Sequence, residues 1–196
     1  MLQGVLKVSI DQLSLPRTLA TGQNFRWRKR TSSSKEEDQW IGLLDNRLVV
    51  GLVQRPGGIE YRLLNEKTVT DSISKKDLEK RLQAYFRLDE DLDQLYRRWS
   101  ARDEHFARTG AQFRGIRLLR QDVVENIFSF ICSSNNNISR ISKMIEALCT
   151  NYGTKLYSFE DGDDDGDTQP DIYSFPEVDR LASDQVEGEL RKLSFG

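Results

Sequence analysis

The stretch QWIGLLDNRLVVGLVQRPGGIEYRLL, residues 39 to 64, contains three apolar-rich runs set apart by two polar interruptions. The runs QWIGLL, RLVVGLV and IEYRLL carry the β-branched and aromatic side chains that suit a pleated surface. Asp45 and Asn46 lie between the first two runs, and the segment RPGG, 55 to 58, lies between the next two. Residues of these types reverse the chain within a few positions, so the spacing predicts an antiparallel arrangement joined by hairpin turns. Working outward, VLKVSI at 5 to 10 and FRWRKR at 25 to 30 add two more strand-like runs, with period-two alternation clearest around Trp27 and Trp40. TSSSKEED, 31 to 38, reads as a polar loop.

The period changes near residue 75. SKKDLEKRLQAYF brings Leu78, Leu82, Tyr85 and Phe86 to one helical face, and DEDLDQLYRRW does the same for Leu92, Leu95, Tyr96 and Trp99. Acids at the start of the second segment complement a helix dipole. DEHFARTGAQFRG carries Phe106 and Phe113 to Gly115, the expected end of a first unit spanning 1–115. Beyond it, RQDVVENIFSFIC places Val123, Val124, Ile127, Phe128 and Ile131 on a stripe with Asp122 as cap. ISRISKMIEALCTNYG follows with Ile138, Ile141, Met144, Ile145 and Leu148 and stops at Gly153. These helices open a second unit, 116–196, which contains an acidic low-complexity insertion at 160–171. The expected class is α+β, an antiparallel sheet with helices followed by an all-helical portion.

Composition is that of an ordinary globular chain: 37% hydrophobic and 31% charged over 196 residues. The net charge of −2 conceals an asymmetry, because residues 1–150 carry 25 Lys+Arg against 19 Asp+Glu, whereas 151–196 carry 4 against 12. A mildly basic body is compatible with a polyanion partner without requiring one. No run of about 18 apolar residues is present, and the start has no basic flank before an apolar core, which argues against secretion. Cys132 and Cys149 are accordingly expected as buried thiols in a reducing compartment.

Most familiar constellations fail on inspection. Asp161, Asp163, Asp165 and Gly166 match four positions of a calcium loop, but the twelfth position is Ile172 in place of a bidentate Glu, and Pro170 interrupts the loop. His105 is the only histidine, so neither a zinc site nor a Cys/His pair has support, and GLVQRPGG lacks the Lys-Ser/Thr ending of a phosphate loop. NFRWRKR, 24 to 30, interleaves bases with aromatics that can grip phosphates and stack on nucleobases. The favoured reading for most of these residues is an amphipathic strand with Phe25 and Trp27 inward and its arginines outward.

The segment FSFICSSNNNISRI, 128 to 141, places Asn135, Asn136 and Asn137 between two helical patterns. One asparagine suffices to cap the following helix, and three exceed that need. Asn amides both donate and accept, and Arg140 adds a planar donor fork one turn on, so the group can either shape a turn or address base edges and phosphates.

Taken together, SFICSSNNNISRI, TGQNFRWR, YFRLDEDLDQLYRRW, GIRLLRQD and LRKLSFG closely resemble the eukaryotic 8-oxoguanine DNA glycosylase/AP lyase family. The match covers nearly the whole chain apart from the acidic insertion. The resemblance implies a sheet domain similar to one repeat of the TATA-binding protein, followed by the first helices of an all-α glycosylase domain. It also implies base-excision repair of oxidised guanine, in which the damaged base is extruded from duplex DNA because its glycosidic carbon is unreachable within the stack. A lysine then attacks that carbon with the help of an aspartate, and the Schiff base permits strand cleavage.

Carried over position by position, the resemblance places the void-filling, cytosine-contacting asparagine on Asn135 and the cytosine-reading arginine on Arg140. It places the glycine whose carbonyl detects oxidised guanine on Gly22, and an aromatic of the base pocket on Phe130. The implied partner is double-stranded DNA with 8-oxoguanine opposite cytosine, engaged by a monomer without cofactor or metal, in the nucleus and also in the mitochondrion. RWRKR reads as strand and not as a nuclear signal. The family's nucleophilic lysine and catalytic aspartate have no match: none of Lys143, Lys155 or Lys192 lies in a PGVG-x-K setting, so no catalytic residue is assigned. The chain is therefore expected to be an N-terminal piece that does not excise bases by itself. The alternative is a non-catalytic DNA- or protein-binding module.

Overall fold

In a computed structural model, which describes residues 1–31, 38–69, 73–159, 170–193 and 195, the expected turns join the expected strands. Strands β1 (Gln3–Leu6), β2 (Arg28–Thr31), β3 (Asp38–Leu44), β4 (Leu48–Arg55) and β5 (Gly58–Leu63) form one antiparallel sheet in the order β1-β5-β4-β3-β2. Asp45 and Asn46 turn β3 into β4 with φ of 50° and 53°, a left-handed pair that Asp and Asn tolerate because their short side chains bond locally. The Arg55↔Gly58 pairing closes the second hairpin around Pro56 and Gly57.

Two expectations about the sheet are corrected. VLKVSI forms a strand only through Leu6, and that strand pairs with β5, so the first segment of the chain lies beside the last strand and away from its sequence neighbour. FRWRKR is extended in the sheet only from Arg28. Asn24 accepts hydrogen bonds from the backbone N–H groups of Arg26 (2.9 Å) and Trp27 (3.0 Å), a local turn that holds these residues off the ladder.

Register decides which face each side chain meets. Trp40 pairs with Leu52 and Leu52 with Tyr61, and all three join the core formed with Leu6, Leu15, Trp27 and helix α2 (Lys75–Tyr85). One position along, Ile41 points the other way and packs with Val49 and Ile172. Ile172 belongs to a second, two-stranded sheet of β6 (Lys155–Tyr157) and β7 (Ile172–Tyr173), which covers that face. Cover on both faces explains why LVVGLV is apolar throughout instead of alternating.

The helices begin where capping chemistry begins. Ser74 and Asp77 form a reciprocal capping box for α2, whose Leu78 and Leu82 are fully buried and contribute about 1.5–3 kcal/mol each. Asp91 caps α3 (Leu92–Ser100), and Asp103 caps α4 (Glu104–Thr109). In α3, Leu92 and Tyr96 are buried while Trp99 is exposed. Short helix α1 (Leu15–Leu19) is tied to the far end of this unit at Gly115. The Gly115 carbonyl accepts from Ser14 N (2.9 Å) and Thr18 Oγ1 (3.0 Å). Its φ of +80° and its distance of 2.2 Å from a notional Cβ to the Ile10 carbonyl exclude a side chain there.

Two helices follow, α5 (Val123–Ile131) and α6 (Ile138–Tyr152), with Asp122 capping the first as expected. Ile141, Ile145 and Leu148 of α6 are buried with Cys149, Tyr152 and Phe175, joined by Val124 and Phe128 of α5. Val123, Ile127 and Ile131 are exposed, so the stripe expected to act as one face divides into a packed side and a solvent side. Ile138, also assigned to the packed stripe of α6, is exposed. Helix α6 ends at Gly153 as expected, though for a different reason. Its φ is −86°, and a Cβ would sit 2.1 Å from the Ser174 carbonyl, so close approach and not left-handed geometry selects glycine. Helices α7 (Val178–Leu181) and α8 (Val186–Lys192) complete the described chain. Of the acidic insertion only Pro170 and Asp171 are described, and the calcium-loop positions Asp161, Asp163, Asp165 and Gly166 lie outside the described residues. The class is α+β.

Candidate nucleic-acid interface

The three asparagines divide their work. Asn136 donates to the Cys132 carbonyl (2.9 Å) and to Met144 Sδ (3.2 Å), stitching the end of α5 to the second turn of α6. Asn137 accepts from Arg140 N (3.0 Å) and is the N-cap of α6. Asn135 is exposed, has φ of +47°, and its side chain makes no hydrogen bond among the described residues. An amide held in a left-handed backbone with both of its polar atoms unspent has no local structural task.

Arg140 stands beside it in the first turn of α6, exposed and without a partner for its guanidinium among the described residues. A cation there faces the positive end of the helix dipole, an arrangement that disfavours the helix by about 0.3–1 kcal/mol. Helix stability does not account for its presence.

Gly22 and Phe130 reach the same region from two directions. Gly22 is exposed, and a Cβ there would approach Ile138 Cδ1 at 3.3 Å, so the TGQN loop sits against the first residue of α6. Phe130, 46% exposed, meets Phe25 edge to face with ring centres 5.8 Å apart. The four residues singled out from sequence thus fall on two adjoining segments, the 21–25 loop and the α5–turn–α6 hairpin.

That adjacency is held by polar side chains that sequence reasoning passed over. Gln23 donates to the Arg117 carbonyl (2.9 Å) and accepts from Leu119 N (3.0 Å). Gln121 donates to the Gln23 carbonyl (2.6 Å) and accepts from the Asn24 amide (2.8 Å). Arg117 is buried and donates to the carbonyls of Gln12 (2.5 Å), Arg87 (2.6 Å) and Glu90 (3.0 Å) and to Gln12 Oε1 (2.8 Å). Only the density of amides around Gly22 hints at this in the sequence, and amides carry no address for their partners.

The reading of NFRWRKR as a strand with outward arginines is corrected at its centre. Trp27 enters the sheet core, but Phe25 packs with the α6 cluster. The Arg26 side chain is only 8% exposed, pairing with Glu125 of α5 at 3.0 Å and donating to the Tyr173 carbonyl. Burial, the largest single influence, disfavours its charge, but the attraction and hydrogen bond of Glu125 together with Cys149 and Glu146 outweigh it, so its proton is held more tightly than in an ordinary arginine. Arg28 pairs with Glu146 of α6 at 2.6 Å and donates to the Pro170 carbonyl at 2.7 Å. The strand does not end at solvent, because a second layer receives these arginines.

Cys149 is buried and free, and desolvation pushes its thiol up to about 12. Cys132 is half-buried and free, with its thiol raised by the same cause. Among the described residues no group of three or more His, Cys, Asp or Glu side chains is placed to hold a metal ion. Lys143 and Lys192 are exposed, and Lys155 pairs with Asp171 at 3.1 Å, so none occupies the desolvated setting that activates a lysine amine.

A family model for the 8-oxoguanine DNA glycosylase, N-terminal domain, matches residues 5–127. The N-glycosylase/DNA lyase of Saccharomyces cerevisiae is 36% identical over 195 residues, covering 98% of this chain and 48% of that protein. The N-glycosylase/DNA lyase OGG1 of Arabidopsis thaliana is 37% identical over 193 residues, covering 97% and 47% respectively. The chain thus spans about half the length of the curated relatives it matches. Among solved structures, MBOgg1 in complex with a low-affinity DNA ligand is similar with a TM-score of 0.77 and 26% identity, over 100% of this chain and 58% of that one. The Clostridium acetobutylicum 8-oxoguanine glycosylase/lyase, in complex with double-stranded DNA containing cytosine opposite 8-oxoG, gives a TM-score of 0.74 and 25% identity over 94% and 55%.

Proposed function

Because the chain belongs to the 8-oxoguanine DNA glycosylase family, we propose that it carries the lesion- and cytosine-reading part of a base-excision repair enzyme, an N-glycosylase/DNA lyase acting on nuclear DNA. Its target is duplex DNA with 8-oxoguanine opposite cytosine, bound by one copy of the chain. Residues 1–115 form the sheet portion of this proposal and residues 116–196 the start of the helical glycosylase portion.

The supporting observation is Asn135. Extrusion of a base leaves a gap in the stack and an unpaired partner whose hydrogen-bonding groups need replacement. The Asn135 amide, exposed at φ +47° just before two asparagines already committed to the turn, can fill that gap and meet the cytosine edge. Arg140, unpaired among the described residues, supplies donors to the acceptors of the same cytosine. Gly22 offers its carbonyl to the proton that oxidation places on the guanine ring, and Phe130 walls the side of the pocket nearest Phe25. No side chain of the described residues is assigned to the excision or strand-cleavage step.

Fluorescence anisotropy with labelled duplexes tests the reading. The chain is expected to bind 8-oxoG:C duplex more tightly than 8-oxoG:A. Asn135→Gly preserves the left-handed backbone while removing the amide, so it isolates chemistry from conformation. Loss of a good base-edge contact is worth about 1–3 kcal/mol, or about 5- to 150-fold in affinity. Asn135→Gly and Arg140→Gln are each expected to weaken the 8-oxoG:C complex within that range. Equal affinity for both duplexes, unchanged in the variants, would overturn the proposal and favour a general binding module.

A further inference from the structure

The segment from Gly22 to Arg28 does more than present a carbonyl. Trp27 points into the sheet core, and its two neighbours point the other way, each to a carboxylate on a different helix. Arg26 takes Glu125, in the first turn of α5, and Arg28 takes Glu146, in the middle of α6. Cys149 lies among these four charges: its thiol feels Arg26, Glu125, Glu146 and Arg28. Glu125 is five residues from Phe130, and Glu146 is six from Arg140, about 7.5 Å and 9 Å along the helix axes. The α5 and α6 arms of the asparagine hairpin are therefore each strutted to one short stretch of chain, which itself begins at Gly22.

We propose that Arg26 and Arg28 are positioning residues that set the hairpin bearing Asn135 and Arg140 in register with the Gly22 loop, so that lesion reading and cytosine reading occur at a fixed separation. Buried ion pairs are weak contributors to stability, because desolvation consumes most of the attraction, but they tolerate only one arrangement of their partners. The guanidinium fork adds directionality, with Arg26 and Arg28 each holding a carboxylate and a backbone carbonyl together. Two such struts specify the relative placement of two helices where apolar contacts alone permit sliding. The inference rests on the functional reading above.

The Arg28–Glu146 pair is the one to perturb, since its side chains are 24% and 32% exposed, against 8% and 15% for Arg26–Glu125, so a reversed charge there keeps more of its hydration. Arg28→Glu, Glu146→Arg and the exchanged double variant are compared with the parent chain by three measurements. These are melting temperature, deuterium uptake of the 132–140 amides without DNA, and the ratio of affinities for 8-oxoG:C over 8-oxoG:A duplexes. The single reversals are expected to raise deuterium uptake in the turn and cut the cytosine preference about fivefold or more at nearly unchanged melting temperature. The exchanged pair is expected to bring both back to within about threefold of the parent. Parental uptake and parental preference in the single reversals, or no recovery in the double variant, would overturn the positioning role. If the parent shows no cytosine preference, the functional reading fails, and the uptake pattern alone then upholds or overturns the strut.

Discussion

Arg117 offers a severe test of how the Gly22 loop is held. Its buried guanidinium satisfies four acceptors, three of them backbone carbonyls, drawn from the residue 12 region and from the turn after α2. Arg117→Met keeps most of the side-chain volume and removes every donor. Each orphaned buried acceptor costs about 1–3 kcal/mol, but these bonds are only partly buried and water relieves some of them. A net loss of about 3–5 kcal/mol follows, comparable to breaking a buried charged network from one side. For a chain of this length, 1 kcal/mol moves the melting temperature by about 2–4 °C, so Arg117→Met should melt about 6–20 °C below the parent by circular dichroism. Arg117→Lys should fall between the two, because one ammonium cannot reach acceptors arranged for a planar fork. A melting temperature within about 2 °C of the parent for Arg117→Met would refute the argument that this network ties residue 117, whose carbonyl Gln23 of the loop grips, to the residue 12 region and the turn after α2.

Two further outcomes are expected. At pH 8, below the value of about 12 to which burial pushes Cys149, its thiolate is about one part in ten thousand. Mass spectrometry after iodoacetamide should therefore find Cys132 modified first in the native chain and both modified in denaturant; equal native rates would refute the burial. Ile127 and Ile131, 54% and 65% exposed, form an apolar strip, so Ile127→Ser with Ile131→Ser should lower the fluorescence of bound anilinonaphthalene sulfonate. The melting temperature should move by no more than about 1–2 °C per site, since exposed substitutions lie within about 0.5 kcal/mol, and a large drop would place these side chains in a core.

Some of this molecule is legible in its sequence, because some of its determinants are local. Asp45-Asn46 and Pro56-Gly57 turn wherever they occur between strands, and Ser74, Asp91 and Asp122 cap helices with atoms from their own neighbourhoods. The pairing of β1 with β5 is different, because residues 3 and 62 meet by closing a long loop and no nearby residue announces it. The same holds for Arg26. Period-two alternation states correctly that it opposes Trp27, but whether that side is water or a second layer depends on β7 and α5, which lie about a hundred or more residues away in sequence. At the candidate site, the asparagine run and Arg140 stand out in the sequence, whereas the amides of Gln23, Asn24 and Gln121 become intelligible only when their partners are in place.

The backbone at Asn135 also dictates which letters its codon can carry. β-branched and bulky side chains are nearly barred from φ +47°. Glycine adopts the angle freely but reaches nothing. Aspartate adopts it too, yet under the proposed function would aim a negative charge at a polyanion. Histidine, although tolerated in this conformation, is too large to take the place of a short amide. The same turn thus narrows twenty possibilities to a few that its backbone tolerates, and the contact made by the side chain must choose among those.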